Sequence, residues 1–97
     1  MFEIVETEEF ADWLSRLRDS SAKAIIARRL LRLSRGNPGD SKFVGRDVSE
    51  LRIHHGPGYR IYYTRRGERL MLLLCGGDKD SQQRDIARAQ AMAEQEI

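Results

Sequence analysis

Residues 51–63 read LRIHHGPGYRIYY and place cationic and imidazole side chains in one phase of a two-residue alternation. Because side chains of a strand point alternately to its two faces, Arg52 shares a face with His54, and Arg60 shares a face with Tyr62. The Gly-Pro-Gly corner between the two runs predicts a hairpin that pairs them. We therefore expect the four side chains to converge on an uncovered face of a sheet. The opposite phase is apolar and is expected to pack against helices: Leu51, Ile53, Ile61 and Tyr63.

These residue types are the ones that metal-free cleavage of RNA requires. The ribose 2′-hydroxyl attacks the adjacent phosphate, so a base must accept its proton and an acid must protonate the leaving 5′-oxygen. Cations must stabilise the additional negative charge on the phosphorane. Histidine, with an ordinary pKa of about 6.5, can act as base or acid, and arginine keeps its charge beside a phosphate. We expect no metal and no other cofactor.

A further cation is expected at the rim of the same patch. Lys79 follows Gly76-Gly77-Asp78, which is predicted to form a turn after a strongly apolar strand. A helix capped by Asp80 would add free amide donors for an oxyanion. Placing Arg52 opposite Arg60 without a paired acid costs roughly several tenths of a kcal/mol, which a fold tolerates where an anion binds. The interpretation would fail if the two arginines lay apart or if each were tied to a buried carboxylate.

The composition predicts one small domain, spanning residues 1–97, with a charged surface. Hydrophobic residues make up 40% of the 97 residues and charged residues 33%, and the formal net charge is +2. Between residues 13 and 69, fourteen Lys or Arg stand against five Asp or Glu, a bias that favours a polyanionic or acidic partner. The single cysteine, Cys75, excludes an intrachain disulfide and a thiolate zinc cluster. We predict no membrane span and no signal peptide, and we expect the protein in the cytoplasm.

The hydrophobic periodicity predicts an α+β fold, in which an N-terminal helical hairpin packs on a four- to five-stranded, mostly antiparallel sheet followed by a C-terminal helix. After a short first strand, Thr7 is expected to cap a helix of about a dozen residues. Ser20 or Ser21 is expected to cap a second helix, which Gly36 ends. Four later strands are predicted over Lys42–Gly45, Val48–His55, Tyr59–Arg65 and Arg69–Gly76. The last of them is apolar in both phases and is therefore expected to lie at the centre of the sheet.

Three segments of the sequence resemble a known family of proteins. They are Leu51–His54, Gly58–Tyr63 and Gly76–Gln82, the last of which reads GGDKDSQ. With the helical hairpin before them, they make nearly the whole chain similar to the RelE/ParE superfamily of bacterial toxins, and specifically to the HigB/RelE-like, phage-related addiction-module killer proteins. The resemblance implies a toxin of a type II toxin–antitoxin pair, neutralised by a small helix-turn-helix antitoxin that the adjacent gene encodes.

The resemblance also implies roles for individual residues. In the ribosome-dependent mRNA endonucleases of the superfamily, basic residues bind and activate the scissile phosphate of mRNA in the ribosomal A site. The matching positions, expected to be catalytic, are Arg52, His54, Arg60 and Lys79. Further contacts with nucleic acid are expected from Lys42, Arg46, His55, Tyr62 and Gln82. The family often supplies a tyrosine for proton transfer from its C-terminal segment, but residues 80–85 contain none. We therefore assign proton transfer to His54, with His55 as its substitute.

Two alternatives to mRNA cleavage stay open at this point. The ParE branch of the superfamily poisons DNA gyrase and does not cleave RNA, so the fold alone does not decide the activity. The basic set at the hairpin favours the nuclease over the gyrase poison. The other alternative is a non-catalytic protein whose basic face only binds an acidic antitoxin segment.

Overall fold

The computed structural model describes residues 1–95. Within that range the chain forms three helices and five strands: β1 Glu3–Glu6, α1 Glu8–Arg16, α2 Ser20–Ser34, β2 Ser41–Gly45, β3 Val48–Ile53, β4 Tyr59–Arg66, β5 Leu70–Asp78 and α3 Gln82–Gln95. Among these elements, no helix is long and apolar enough to cross a membrane.

The five strands belong to one sheet with the order β1-β5-β4-β3-β2. β1 pairs with β5 in parallel, and the other three pairings are antiparallel. The predicted α+β class with a mostly antiparallel sheet is thus confirmed. β5 has a strand on each side and residues 71–75 are buried, as their apolar run predicted. The register of β3 and β4 places Arg52 directly opposite Arg60.

Helices α1 and α2 cover one face of the sheet. Phe10 of α1 and Ile26 and Leu33 of α2 are almost completely buried there. Each buried side chain of this size contributes roughly 1.5–3 kcal/mol, so the cluster determines which phase of the hairpin faces inward. The apolar phase of the hairpin joins this cluster, as predicted: Leu51, Ile53, Ile61 and Tyr63.

Helix α3 covers the opposite face, which the sequence predicted to be open. Tyr62 and Leu74 are fully buried there and pack in one cluster with Ala89 of α3. The prediction of an uncovered face is therefore wrong where α3 lies over the sheet. Burial in this layer also raises the pKa of the Cys75 thiol to about 12, so the group is protonated at neutral pH. At the corner of the β3–β4 hairpin, Gly56 and Pro57 are exposed.

Hydrogen bonds at the helix starts correct several predicted boundaries. Thr7 caps α1 as predicted, although the helix is 9 residues long and thus shorter than expected. The cap of α2 is Asp19, because its carboxylate accepts two amide hydrogen bonds and a negative charge suits a helix N-terminus. The predicted serine caps one and two residues later are wrong. Asp80 lies in the turn before α3, which begins at Gln82, so the predicted Asp80 cap is wrong as well.

Gly76 and Gly77 lie in β5 rather than in a turn, since the strand continues to Asp78. A β-carbon added at Gly76 would overlap the ring of Trp13, which belongs to α1. One added at Gly77 would overlap the carboxylate of Asp85, which belongs to α3. The two glycines therefore let a helix pack directly on the backbone of β5 from each face.

We expect Gly76→Ala to reduce the free energy of unfolding by about 1–3 kcal/mol, because the added methyl group overpacks the contact with Trp13. Urea denaturation of Gly76→Ala, and of the same change in a Trp13→Leu background, measures the energetic coupling between positions 76 and 13. The cost should fall in the second background, where the ring is gone. An equal cost in both backgrounds would contradict the packing explanation.

Candidate functional site

A cavity of about 360 Å³ lies at the corner of the β3–β4 hairpin. The Gly56-Pro57-Gly58 corner forms one wall, and four side chains with basic or imidazole groups line the rest: His54, His55, Arg60 and Lys79. The structure thus brings together three of the four residues predicted to be catalytic, and adds His55. Arg52 is adjacent to Arg60 on the neighbouring strand but does not line the cavity.

Arg60 is the buried cation of this cavity. The residue is 8% exposed, and its neighbours across the sheet are Arg52 on β3 and Gly77 on β5. Its Nε and Nη1 atoms are buried and have no hydrogen-bond partner among residues 1–95. Buried donors are nearly always hydrogen-bonded in folded proteins, so these two nitrogens are suited to an acceptor that comes from a ligand.

Glu50 is a fully buried carboxylate between the two arginines. Its Oε1 accepts a hydrogen bond of 2.9 Å from Nε of Arg52. Its Oε2 accepts from the hydroxyl of Tyr62 at 3.0 Å and from Nε2 of Gln82 at 2.8 Å, and lies 4.0 Å from Nε of Arg60. Burial alone would raise the pKa of Glu50, but the hydrogen bonds from Arg52, Gln82 and Tyr62 outweigh it and hold that pKa below its usual value.

The expectation of two guanidiniums without a paired acid is therefore wrong. Arg52 is hydrogen-bonded to Glu50 and its side chain is 29% exposed. Arg60 also forms an ion pair with this carboxylate, at 4.0 Å and without a hydrogen bond. Both arginines are thus paired with one buried acid, and the interpretation of an anion site now rests on Arg60, whose Nε and Nη1 have no hydrogen-bond partner among residues 1–95. The two arginines do lie side by side as predicted, but only Arg60 keeps free donors in the buried part of the site.

Tyr62 and Gln82 have structural positions that differ from those expected of residues contacting nucleic acid. Tyr62 is fully buried beneath α3, so the prediction that its ring is available to a base is wrong. Burial, followed by the hydrogen bond to Glu50, raises the pKa of the Tyr62 phenol, which excludes it as a proton donor or acceptor near neutral pH. Gln82 begins α3 and connects that helix to Glu50.

Each histidine of the site is bonded to a carboxylate from a distant part of the chain. Nε2 of His54 lies 2.6 Å from Oδ2 of Asp40, which precedes β2. Nε2 of His55 lies 3.0 Å from Oδ2 of Asp19, the cap of α2. The bond to His54 is the main reason why the pKa of Asp40 is lowered, and the amide of Ala22 followed by His55 lowers that of Asp19. Both carboxylates are therefore ionised at neutral pH.

The remaining predicted cations differ in their relation to the cavity. Lys79 is exposed just beyond β5, packs beside Gly58, and has no ion pair among the described residues 1–95. Lys42 is exposed on the edge strand β2 and does not line the cavity. Arg46 lies in the turn at the other end of the sheet and forms an ion pair with Glu94 at 2.9 Å, so the structure does not bring it to the site.

A larger cavity lies between α1 and α2, with a volume of about 560 Å³. Apolar side chains such as Leu14, Ile26 and Leu30 line most of it. None of the residues predicted to be catalytic is among its lining residues. The hairpin cavity is therefore the site whose chemistry matches the sequence prediction.

We expect Glu50→Gln to lower the free energy of unfolding by about 3 kcal/mol at neutral pH, because it removes the charge that compensates two arginines in a buried site. Glu68→Gln, in an exposed turn, should change it by less than about 0.5 kcal/mol. Urea denaturation curves of the two variants and the wild type measure the difference. Equal stability of the wild type and Glu50→Gln would show that the buried carboxylate does not support the fold.

The same carboxylate should make stability depend on pH. The folded-state pKa of Glu50 is lowered, so its contribution is present above the unfolded-state pKa of about 4.3 and is lost as the pH falls through the folded-state pKa. The free energy of unfolding, measured by urea denaturation at several acidic pH values, should therefore change less steeply with pH in Glu50→Gln than in the wild type. Identical slopes would contradict the direction of the shift.

Comparison with known proteins shows the family to which most of the chain belongs. Residues 12–96 match the family described as "Phage derived protein Gp49-like (DUF891)". A protein of Haemophilus influenzae whose function is uncharacterised is 45% identical over 93 residues, which cover 96% of this chain and 94% of that protein. The chain therefore belongs to the Gp49-like family of phage-derived proteins, a RelE-like family associated with toxin–antitoxin systems.

Proposed function

We propose that this protein is the toxin of a type II toxin–antitoxin pair and cleaves mRNA on the ribosome, in the cytoplasm, without a metal ion. A cognate antitoxin, encoded beside it, would neutralise it. Membership of a family associated with toxin–antitoxin systems supports the toxin part of the proposal. The observation that supports the nuclease part is the buried Arg60, whose Nε and Nη1 have no partner among residues 1–95 and which lines a cavity with Lys79 and two histidines.

The charges of the cavity suit a phosphodiester. Arg60 would place its positive charge beside the nonbridging oxygens, and a guanidinium forms strong, charge-assisted hydrogen bonds with phosphate. Lys79 is exposed at the rim, where it would meet the same phosphate from the solvent side. Because Arg60 is buried, its interaction with an anion is screened less than that of a surface cation. The charge of a phosphorane would therefore be stabilised by both groups.

Arg52 would act differently from Arg60. Its Nε is already bonded to Glu50, and it does not line the cavity. Its proposed role is to fix the Glu50 carboxylate, which in turn faces Nε of Arg60 at 4.0 Å. The proposed catalytic set keeps His54, Arg60 and Lys79 from the sequence prediction, adds His55, and makes Arg52 a positioning residue.

The proposed reaction needs a base, an acid and phosphate ligands. The 2′-hydroxyl loses its proton and attacks the phosphorus, the bond to the 5′-oxygen breaks, and that oxygen gains a proton. The products are a 2′,3′-cyclic phosphate and a 5′-hydroxyl end. No oxidant, reductant or second substrate is required, and the histidines at the cavity are the available proton-transfer groups.

We expect Arg60→Ala to reduce cleavage by about 100-fold or more, the scale seen when a preorganised charge-stabilising donor is removed. Brief induction of the toxin without antitoxin in a bacterial host, followed by sequencing of transcript 5′ ends, measures cleavage. The wild type should arrest growth and produce new 5′ ends only on translated messages. Lys79 is exposed, so Lys79→Ala should leave the core intact while reducing cleavage by about tenfold or more.

Arg69→Ala is the matched control, because Arg69 is exposed at the opposite end of β4 and β5. It removes the same charge without touching the cavity and should cleave like the wild type. Growth arrest with intact messages and DNA cleavage complexes would contradict the proposal and indicate gyrase poisoning. Normal growth on induction of folded wild-type protein would indicate a non-catalytic binding protein.

A further inference from the structure

Two histidine–carboxylate pairs meet at the same cavity, and other hydrogen bonds hold the carboxylate of Asp19 and the backbone of Asp40 in place. Oδ1 of Asp19 accepts the amides of Ser21 at 2.9 Å and Ala22 at 3.1 Å, which leaves Oδ2 for His55. The backbone oxygen of Asp40 accepts from the amide of Arg52 at 2.9 Å. The carboxylate of Asp19 is therefore fixed on the first turn of α2, and the loop before β2 is fixed to β3, by hydrogen bonds that do not involve the imidazoles.

Arg29 strengthens the position of the Asp40 loop. Its Nη2 donates to the backbone oxygens of Asp40 at 3.1 Å and Pro38 at 3.2 Å, and its Nη1 donates to the backbone oxygen of Arg52 at 2.6 Å. One side chain of α2 thus connects the loop that carries Asp40 to the strand that leads into His54. The backbone that carries the Asp40 carboxylate is therefore held in place, although the side chain itself is partly exposed.

The charge of the carboxylates determines which imidazole nitrogen can exchange a proton. An ionised carboxylate only accepts hydrogen bonds, so Nε2 of each ring must carry the hydrogen. The other nitrogen, Nδ1, is then a lone pair in the neutral ring and an N–H donor in the protonated ring. Both histidines are accordingly set to transfer a proton through Nδ1.

We propose that His54 and His55 are the acid–base pair of the site, with Asp40 and Asp19 as positioning residues that set their tautomers. This rests on the proposed function. One imidazole accepts the 2′-hydroxyl proton at Nδ1 while the other, protonated, gives its Nδ1 proton to the leaving 5′-oxygen. One proton is taken up and one is released, and proton exchange with water then restores both rings for the next cleavage. The proposal accounts for the missing C-terminal tyrosine. The other charged groups that face the two rings or their carboxylates are Arg29, Arg52, Arg60 and Lys79.

The tautomers can be measured without any activity. The chain has two histidines, so ring-nitrogen NMR spectra of the whole protein contain two imidazoles. In the wild type the neutral form of both rings should carry its hydrogen on Nε2 and leave Nδ1 without one. Asp40→Asn, whose amide can also donate, should move part of the His54 population to the other tautomer, and Asp19→Asn should do the same for His55. Asp47→Asn, in the distant β2–β3 turn, is the matched control and should change neither ring.

The chemical roles are separated by leaving-group substitution. His54→Gln and His55→Gln retain a donor for each carboxylate and should each slow cleavage by about 100-fold or more. A message with a sulfur in place of the 5′-oxygen at the mapped cut site has a leaving group that needs no acid. It should restore fast cleavage in one of the two variants, which identifies the acid, and not in the other.

Several results would overturn the proposal. A Gln variant that cleaves like the wild type would be sufficient. So would restoration of both variants, or of neither, by the sulfur substrate. Neutral rings that carry their hydrogen on Nδ1 in the wild type would also be sufficient. If the wild type cleaves RNA and Arg60→Ala does not, such results reject the acid–base assignment alone. If the wild type does not cleave RNA at all, the proposed function fails and this proposal fails with it.

Discussion

The buried carboxylate of Glu50 is the interaction on which the rest of the site depends. It accepts hydrogen bonds from Arg52 on its own strand, from Tyr62 on β4 and from Gln82 at the start of α3. A single charged group thereby joins two strands and the helix that covers them. Three hydrogen bonds and two adjacent guanidiniums compensate the cost of its burial.

This arrangement explains why the two neighbouring arginines are not equivalent. The hydrogen bond to Glu50 occupies Nε of Arg52, whereas Arg60 lies at 4.0 Å from the same carboxylate and keeps two buried nitrogens without a partner. The negative charge of the carboxylate offsets the electrostatic repulsion between the two guanidiniums, which would otherwise destabilise the fold. It does so without satisfying Arg60, which leaves a buried positive group beside a cavity that also contains two imidazoles and an ammonium.

The sequence predicted the parts of the fold that depend on periodicity and local chemistry. The apolar phase of the hairpin, the central position of β5 and the Thr7 cap all follow from the order of residues over a few positions. The alternation also predicted that Arg52 and Arg60 are neighbours. It did not show that α3 lies over Tyr62, because a thin apolar stripe on a helix does not say which face of a sheet it covers.

The sequence was least informative about the carboxylates of the site. Glu50 stands in the same phase as Arg52 and could have been recognised as its partner, since the two are neighbours on one face of β3. Asp19 and Asp40 lie 36 and 14 positions away from the histidines they bind, and only the folded chain brings them together. The pair Gly76-Gly77 indicated a turn in the sequence. In the structure, glycine is required at the two positions because a helix approaches the strand closely from each face.

The central claim, that Arg60 rather than Arg52 offers open donors to a phosphate, can be tested by a titration of the arginine side chains. The Nε–H resonances of the protein would be followed by NMR while a short RNA with a 2′-deoxy residue at the cut site, which cannot be cleaved, is added. The structure predicts a saturable shift of the Arg60 resonance and a smaller change at Arg52, whose Nε stays bonded to Glu50. A large shift at Arg52 with none at Arg60 would contradict the account.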